Sequence, residues 1–288
     1  MRLVIVSGLS GSGKSVALNM LEDLGWYCID NIPAELLNAF VSHAVRRPNP
    51  IYERSAVGLD ARNEPEDIAG VPQMVRELRR SGIECEIIYL HADEAMLLRR
   101  YGETRRRHPL VRDGLDLRGA IAAELKLLEP ITYSADLVVD TTRSSVHELR
   151  EMIRARVEQR RSRRLSIMFE SFGFKNGIPS GADFVFDART LPNPYWVPRL
   201  QPLDGRDPAV IEFLQAEPAV RALLDDIIAF IERRIPLYLE HNRGYLTVAV
   251  GCTGGQHRSV YLVEQLAAHF AARYPGVVAR HDALATNA

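Results

Sequence analysis

Eight residues near the start of the chain restrict its fold more than any other feature. Gly8-Leu9-Ser10-Gly11-Ser12-Gly13-Lys14-Ser15 matches G-x-x-x-x-G-K-S/T at every specified position. An apolar run at residues 2–6 precedes it, and an amphipathic stretch at 15–24 follows. Strand, glycine loop and helix in that order bring backbone N–H groups to a helix N-terminus, where an anion is stabilised. The glycines let the backbone wrap a chain of phosphates. Lys14 has the reach for β- and γ-phosphates, and the Ser15 hydroxyl has the chemistry to ligate Mg²⁺. A chance glycine turn would not need both flanking elements.

The surroundings of the loop extend the pattern. Short apolar runs at 2–6, 26–29, 56–59, 85–91 and 137–139 alternate with helical stretches at 15–24, 33–45, 66–81, 95–103 and 117–129. Strands joined by helices predict a parallel sheet covered on both faces. Residues 146–164 read as a helix with a basic end, six Arg falling within positions 154–164. That end is expected to be either a solvated linker or a patch for an acidic partner. A second α/β domain is expected over 165–288, after a first over 1–153. Its strands are read at 165–170, 183–186, 245–250 and 277–280, and its helices at 208–214, 219–241 and 258–273. Six Pro between Pro179 and Pro208, with Tyr195 and Trp196 among them, point to a packed loop rather than a tether.

Composition removes several classes. The chain has 288 residues, consistent with about two domains. Lys+Arg is 36 and Asp+Glu is 37, so the net charge of −1 argues against wholesale polyanion binding. No run reaches the ~18 apolar residues of a membrane span, and the opening sequence lacks a signal-peptide layout. Cys28, Cys85 and Cys252 are too few and too far apart for a disulfide framework. A soluble cytoplasmic protein is the expectation. Only three lysines, Lys14, Lys126 and Lys175, stand among the 36 Lys and Arg residues, and Lys14 and Lys175 each have a glycine within two residues.

A second loop echoes the first. Gly251-Cys252-Thr253-Gly254-Gly255-Gln256-His257-Arg258-Ser259 again joins an apolar run to an amphipathic helix. Cys252 and Arg258 have the C-x5-R spacing of cysteine phosphatases, where a thiolate attacks phosphorus and Arg clamps the oxygens. The readings are a phosphate cradle without covalent chemistry, a phosphatase with Asp183 or Asp187 as acid, or a plain turn. For an ion-organising carboxylate beside the first loop, Asp60, Asp30 and Asp93 each close a strand candidate, Asp60 ranking first. Arg99, Arg100, Arg105, Arg106 and Arg107 form either a charged surface or a source of transition-state stabilisation.

FESFGFKNGIP (169–179), LPNPYW (191–196) and GCTGGQHRSV (251–260) together resemble the RapZ/YvcJ family, and DNIP (30–33) and VDTT (139–142) fit the same pattern. The resemblance covers essentially the whole chain. It implies a P-loop NTPase-like domain that binds ATP and GTP with weak ATPase/GTPase activity. It implies that residues 8–15 are the ATP site and that Asp60, Ala61, Arg62 and Asn63 contact a guanine nucleotide. The second domain is similar to a phosphosugar-sensing module whose ligand in the enteric branch is glucosamine-6-phosphate. Its expected contacts here are Lys175, Cys252, Thr253, Gly254, Gly255, His257, Arg258 and Ser259. Enteric members also form homo-oligomers and act as RNA-binding adaptors that present a small RNA to a ribonuclease. Their RNA contact uses a lysine-rich tail, whereas residues 277–288 hold no Lys and one Arg. Losing several cations costs orders of magnitude in RNA affinity. Arg273, Arg280 and the run 154–164 are the cations left to compensate. A small-molecule kinase and a Cys252 phosphatase stand as the alternative functions.

Overall fold

The computed structural model describes residues 1–46, 49–104, 107–111, 115–158, 165–240 and 243–284. The chain divides into two compact units, Met1–Arg154 and Ala155–Ala288.

The first unit is a five-stranded parallel sheet with helices between its strands. In chain order the elements are β1 (Arg2–Gly8), α1 (Lys14–Asp23), β2 (Tyr27–Ile29), α2 (Ala34–Arg46), β3 (Arg54–Gly58), α3 (Pro65–Arg80), β4 (Glu84–His91), α4 (Glu94–Thr104), α5 (Leu117–Leu127), α6 (Glu129–Ser134), β5 (Leu137–Asp140) and α7 (Val146–Glu158), whose last turn belongs to the second unit. The strand order is β2-β3-β1-β4-β5. Short apolar runs form these strands because both faces are covered, and Leu3, Val4, Ile5 and Val6 are all fully buried. β1 therefore lies at the centre, paired with β3 on one side and β4 on the other. Its C-terminal end is the point where the chain switches sides of the sheet, the usual position for a ligand in open α/β sheets.

One helix differs from expectation. Residues 117–129 were expected as a single helix, but α5 stops at Leu127 and α6 starts at Glu129. Pro130, at the start of α6, has no N–H to continue the α5 ladder.

The second unit holds β6 (Ser166–Gly173), β7 (Phe184–Asp187), α8 (Pro208–Gln215), α9 (Pro218–Glu240), β8 (Tyr245–Cys252), α10 (Arg258–Ala271) and β9 (Val277–His281). Its sheet is also parallel, in the order β7-β8-β6-β9. β6 and β8 are buried along their whole length, and Gly173 pairs with Cys252 where they end. The proline-rich segment is anchored by buried Leu191, Pro194 and Leu200, whereas Tyr195 and Trp196, which suggested the packing, are exposed.

The basic run requires a correction. Residues 159–164 lie outside the described residues, but Arg156 was expected on a solvated helix end or partner patch and is instead fully buried. Its guanidinium donates to Ser166 O at 3.1 Å, Ser166 Oγ at 3.2 Å and Thr247 Oγ1 at 3.1 Å, and it lies over the Tyr245 ring at 4.9 Å. Burial lowers its pKa to about 10, so it stays protonated at neutral pH. A planar cation with several hydrogen bonds and an aromatic face is one that a protein interior tolerates.

Candidate functional site: two glycine loops

The first loop leaves β1 and enters α1 through backbone that side chains resist. Gly8 has φ 140° and Gly13 has φ 103°. A Cβ on Gly8 would lie 2.1 Å from Leu90 O, so the position is closed to any other residue on two grounds. Lys14 folds back and donates from Nζ to Gly8 O at 2.6 Å. Burial lowers the Lys14 pKa, while Glu124 and Asp60 pull in the opposite direction. Ser15 is exposed in the first turn of α1.

Other side chains hold the loop from outside. Glu124 of α5 accepts from Ser10 N at 2.8 Å and from Ser10 Oγ at 2.7 Å. Arg100 of α4 donates to Gly11 O at 3.0 Å, and Thr141 Oγ1 donates to Ser12 O at 2.9 Å. Sequence reasoning grouped Arg100 with its neighbours and missed Glu124 and Thr141. Glu124 did carry a signal, because it shares a helical stripe with Ala120, Ile121 and Leu128, all buried.

The three carboxylate candidates separate clearly. Asp93 caps α4 by accepting from Met96 N at 2.7 Å, so its role is local. Asp60 is 4% exposed just beyond β3, and both its oxygens accept from the Arg62 guanidinium, the shortest contact being 2.6 Å. Burial pushes the Asp60 pKa up, but the hydrogen bonds from Arg62 outweigh it and hold the group below the usual range. Asn63 is committed at both ends, accepting from Ala34 N at 2.6 Å and donating to Asp60 O at 3.1 Å. Residues 60–63 thus form a self-bonded turn whose polar groups must exchange partners to meet a base. Asp60 and Asp30 both act electrostatically on Lys14.

The second loop joins β8 to α10. Gly255 N–H donates to Cys252 Sγ at 3.2 Å, and Ser259 Oγ lies 3.2 Å from the same sulfur. Burial raises the Cys252 pKa, yet the hydrogen bonds from Ser259 and Gly255 and the charge of Arg258 bring it below the ordinary thiol value. Arg258 is 4% exposed. Its Nη1 donates to Arg189 O at 2.9 Å and Leu191 O at 3.0 Å, which fixes the guanidinium plane. Nη2 has only a long contact of 3.4 Å to Thr253 Oγ1, and Nε is buried without a hydrogen-bond partner among the described residues. The Nε–Nη2 edge is the side-on fork with which Arg binds an oxyanion bidentately.

The fold brings the Lys175 turn to this loop. Lys175 N donates to Thr253 O at 3.3 Å, and its side chain is exposed. His257 is buried against Leu200 O at 3.0 Å, with its pKa lowered by burial. Asp183 is not brought near. It exchanges hydrogen bonds with Thr247, five positions before Cys252 on β8 and so ~16 Å away at strand rise. Asp187 pairs in register with Gly251, but hydrogen bonds from Arg189 keep it ionised. Sequence reasoning also missed a relay beside this loop: Ser171 Oγ meets His281 Nδ1 at 2.9 Å, and His281 Nε2 meets Glu264 at 2.8 Å. The order resembles a hydrolase triad, but here the hydroxyl is fully buried and the carboxylate is open, the reverse of what a substrate needs.

A central strand, a glycine loop wrapped by backbone and a lysine at the mouth of the following helix define a P-loop α/β protein. Family comparison agrees over the full length: residues 1–161 match the RapZ-like N-terminal domain, and 165–285 match the RapZ C-terminal domain. The chain belongs to the RapZ family. It is 53% identical to a nucleotide-binding protein of Chromohalobacter salexigens, with 100% of this chain and 97% of the relative covered. It is also 53% identical to a nucleotide-binding protein of Thioalkalivibrio sulfidiphilus, with 94% of each covered. Among solved structures it overlaps shikimate kinase from Bacteroides thetaiotaomicron at a TM-score of 0.37 and 14% identity, covering 55% of this chain and 98% of that one.

Proposed function

We propose that this chain is a nucleotide-binding regulator with one anion site in each unit. The first, residues 8–15, takes ATP or GTP and hydrolyses it weakly. The second, the loop 251–259 with Lys175, takes a phosphorylated amino sugar of the glucosamine-6-phosphate class. The observation that carries this reading is that both loops present an anion cradle at a helix N-terminus, one completed by Lys14 and the other by the Arg258 edge. The relatives' description as nucleotide-binding proteins supports the first half.

The donors in the first site suit Mg²⁺, a hard cation that prefers oxygen ligands. Among the described residues no group of three His, Cys, Asp or Glu is placed to hold a metal, so the ion would arrive with the nucleotide's own oxygens and be held by Ser15. Bound there it would neutralise phosphate charge. Asp60 would join it only on exchanging its bonds to Arg62.

The resemblance extends the proposal to a cytoplasmic homo-oligomer that hands a small RNA to a ribonuclease. Two of the cations nominated for RNA are already engaged, Arg273 with Glu232 at 2.7 Å and Arg280 with Glu170 at 3.1 Å. Among the described residues no helix is long and apolar enough to cross a membrane.

A phosphatase reading has the lowered Cys252 pKa in its favour. Against it, Asp187 is held ionised and Asp183 is remote, so neither supplies the proton a leaving group needs. Calorimetric titration of the full chain with ATP, GTP, glucosamine-6-phosphate, glucose-6-phosphate and inorganic phosphate tests the regulator. Two saturable sites are expected, with the amino sugar preferred over glucose-6-phosphate. Stoichiometric phosphoryl transfer to a sugar would replace this reading with a kinase, and turnover abolished by Cys252→Ser would replace it with a phosphatase.

A further inference from the structure

Glu124 is a fully buried acid 114 residues along the chain from the loop it touches. Its carboxylate has three polar partners: Ser10 N at 2.8 Å, Ser10 Oγ at 2.7 Å and His108 Nε2 at 3.1 Å. His108 Nδ1 accepts the Leu110 N–H at 3.1 Å, which leaves the ring proton on Nε2, aimed at Glu124. Leu9, Ala92, Leu97 and Ile121 make up a small apolar cluster in the same part of the unit, on the loop, on α4 and α5, and between β4 and α4. A carboxylate in such a dry setting persists only when its lone pairs are satisfied, and it then fixes its partners firmly.

Two further contacts set the second half of the loop. Gly11 O is held by Arg100 and Ser12 O by Thr141. In a trans peptide, a carbonyl and the next residue's N–H point in opposite directions. The Ser12 N–H closes a turn onto Leu9 O at 3.0 Å, and pinning Ser12 O on the protein side turns the Gly13 N–H the other way.

We propose that Glu124, backed by His108, is the positioning residue of the phosphate loop, and that nucleotide affinity depends on its grip on Ser10. The proposal rests on the reading of residues 8–15 as a nucleotide site. Glu124 touches no nucleotide. It acts by holding Ser10 in the one place that lets the later amides and Lys14 converge on phosphate.

The test uses the full-length chain with ATP and Mg²⁺. Binding by the wild-type chain is measured first, and its failure to bind would remove the nucleotide reading itself, independently of any variant. Given binding, Glu124→Gln is expected to raise the ATP Kd at least tenfold, because a neutral amide gives up the charge-assisted bonds from Ser10 N and His108 Nε2 and keeps one acceptor oxygen instead of two. Adding Ser10→Ala to Glu124→Gln should then cost less than Ser10→Ala does alone. Leu78→Val, in the separate apolar cluster that holds Leu37, Val41 and Val71, should lower the melting temperature and leave Kd within twofold of wild type. A folded Glu124→Gln with Kd within twofold of wild type overturns the proposal, as does a Leu78→Val variant that weakens ATP as much as Glu124→Gln. Should Glu124→Gln not fold, Ser10→Ala decides: it removes one loop bond, and an unchanged Kd overturns the proposal.

Discussion

The two glycine loops share a layout but differ in how each presents its cation. In the first, Lys14 lies along the loop and spends its ammonium on one carbonyl, Gly8 O. A flexible stem with a compact charge follows a phosphate chain as it is bound. In the second, Arg258 is fixed in advance by Arg189 O and Leu191 O, and it offers one planar edge. A fixed edge suits one phosphate group in one orientation. The difference teaches that the same strand–loop–helix frame serves a long polyanion or a single anionic group, depending on which basic residue completes it.

The largest expected effect breaks the first loop outright. Gly8→Ala places a methyl 2.1 Å from Leu90 O. It should cost the first unit about 3 kcal/mol and abolish nucleotide binding, with the second unit unaffected in unit-resolved hydrogen exchange. Wild-type melting and affinity in that variant would show that the loop geometry is not what binds. Arg258→Ala comes next. It strands two backbone carbonyls and removes the anion edge, so about 2 kcal/mol of stability should go, together with phosphosugar binding, while ATP binding survives. Lys14→Ala is the reciprocal change and a gentler one for the fold: ATP affinity falls on the order of 100-fold, and the phosphosugar isotherm stays put. If either variant lost both ligands while folded, two separate sites would be the wrong picture.

The smallest effect is a pH dependence in the second loop. The Cys252 pKa is depressed in the folded chain, so its contribution is complete above the unfolded thiol value and is lost as pH falls through the folded one. Denaturant titrations between pH 7 and 9 should show the second unit gaining stability as pH rises, and Cys252→Ser should flatten that slope. The first loop has no thiol, but the lowered Lys14 pKa gives the first unit a slope of the same sign, which Cys252→Ser should leave unchanged. A Cys252→Ser chain that kept the slope would place its origin elsewhere.

Legibility followed the range of the interactions. β1, the first loop and α1 were readable because each depends on neighbours within a few residues: apolar period, glycine conformation, helix start. Lys175 and the loop 251–259 were readable as pieces, and the parallel pairing of β6 with β8 placed them together. Arg156 was misread because its sequence neighbours are basic, whereas its partners Ser166, Thr247 and Tyr245 come from other strands. Asp183 and Asp187 looked equivalent in sequence, and strand register alone put one at Thr247 and the other at Gly251.

Local sequence encodes the fold class, the succession of strands and of every helix but the α5–α6 pair, and the two places where backbone amides gather at a helix N-terminus. Those depend on local backbone preference, which a short run of residues encodes. Only the tertiary structure decided which polar groups are already spent. Asp60 is tied to Arg62, Arg258 is fixed by two carbonyls, and Ser10 is held by Glu124 from 114 residues away. A hydrogen bond needs a partner within about 3 Å, and that distance is set by packing rather than by spacing along the chain.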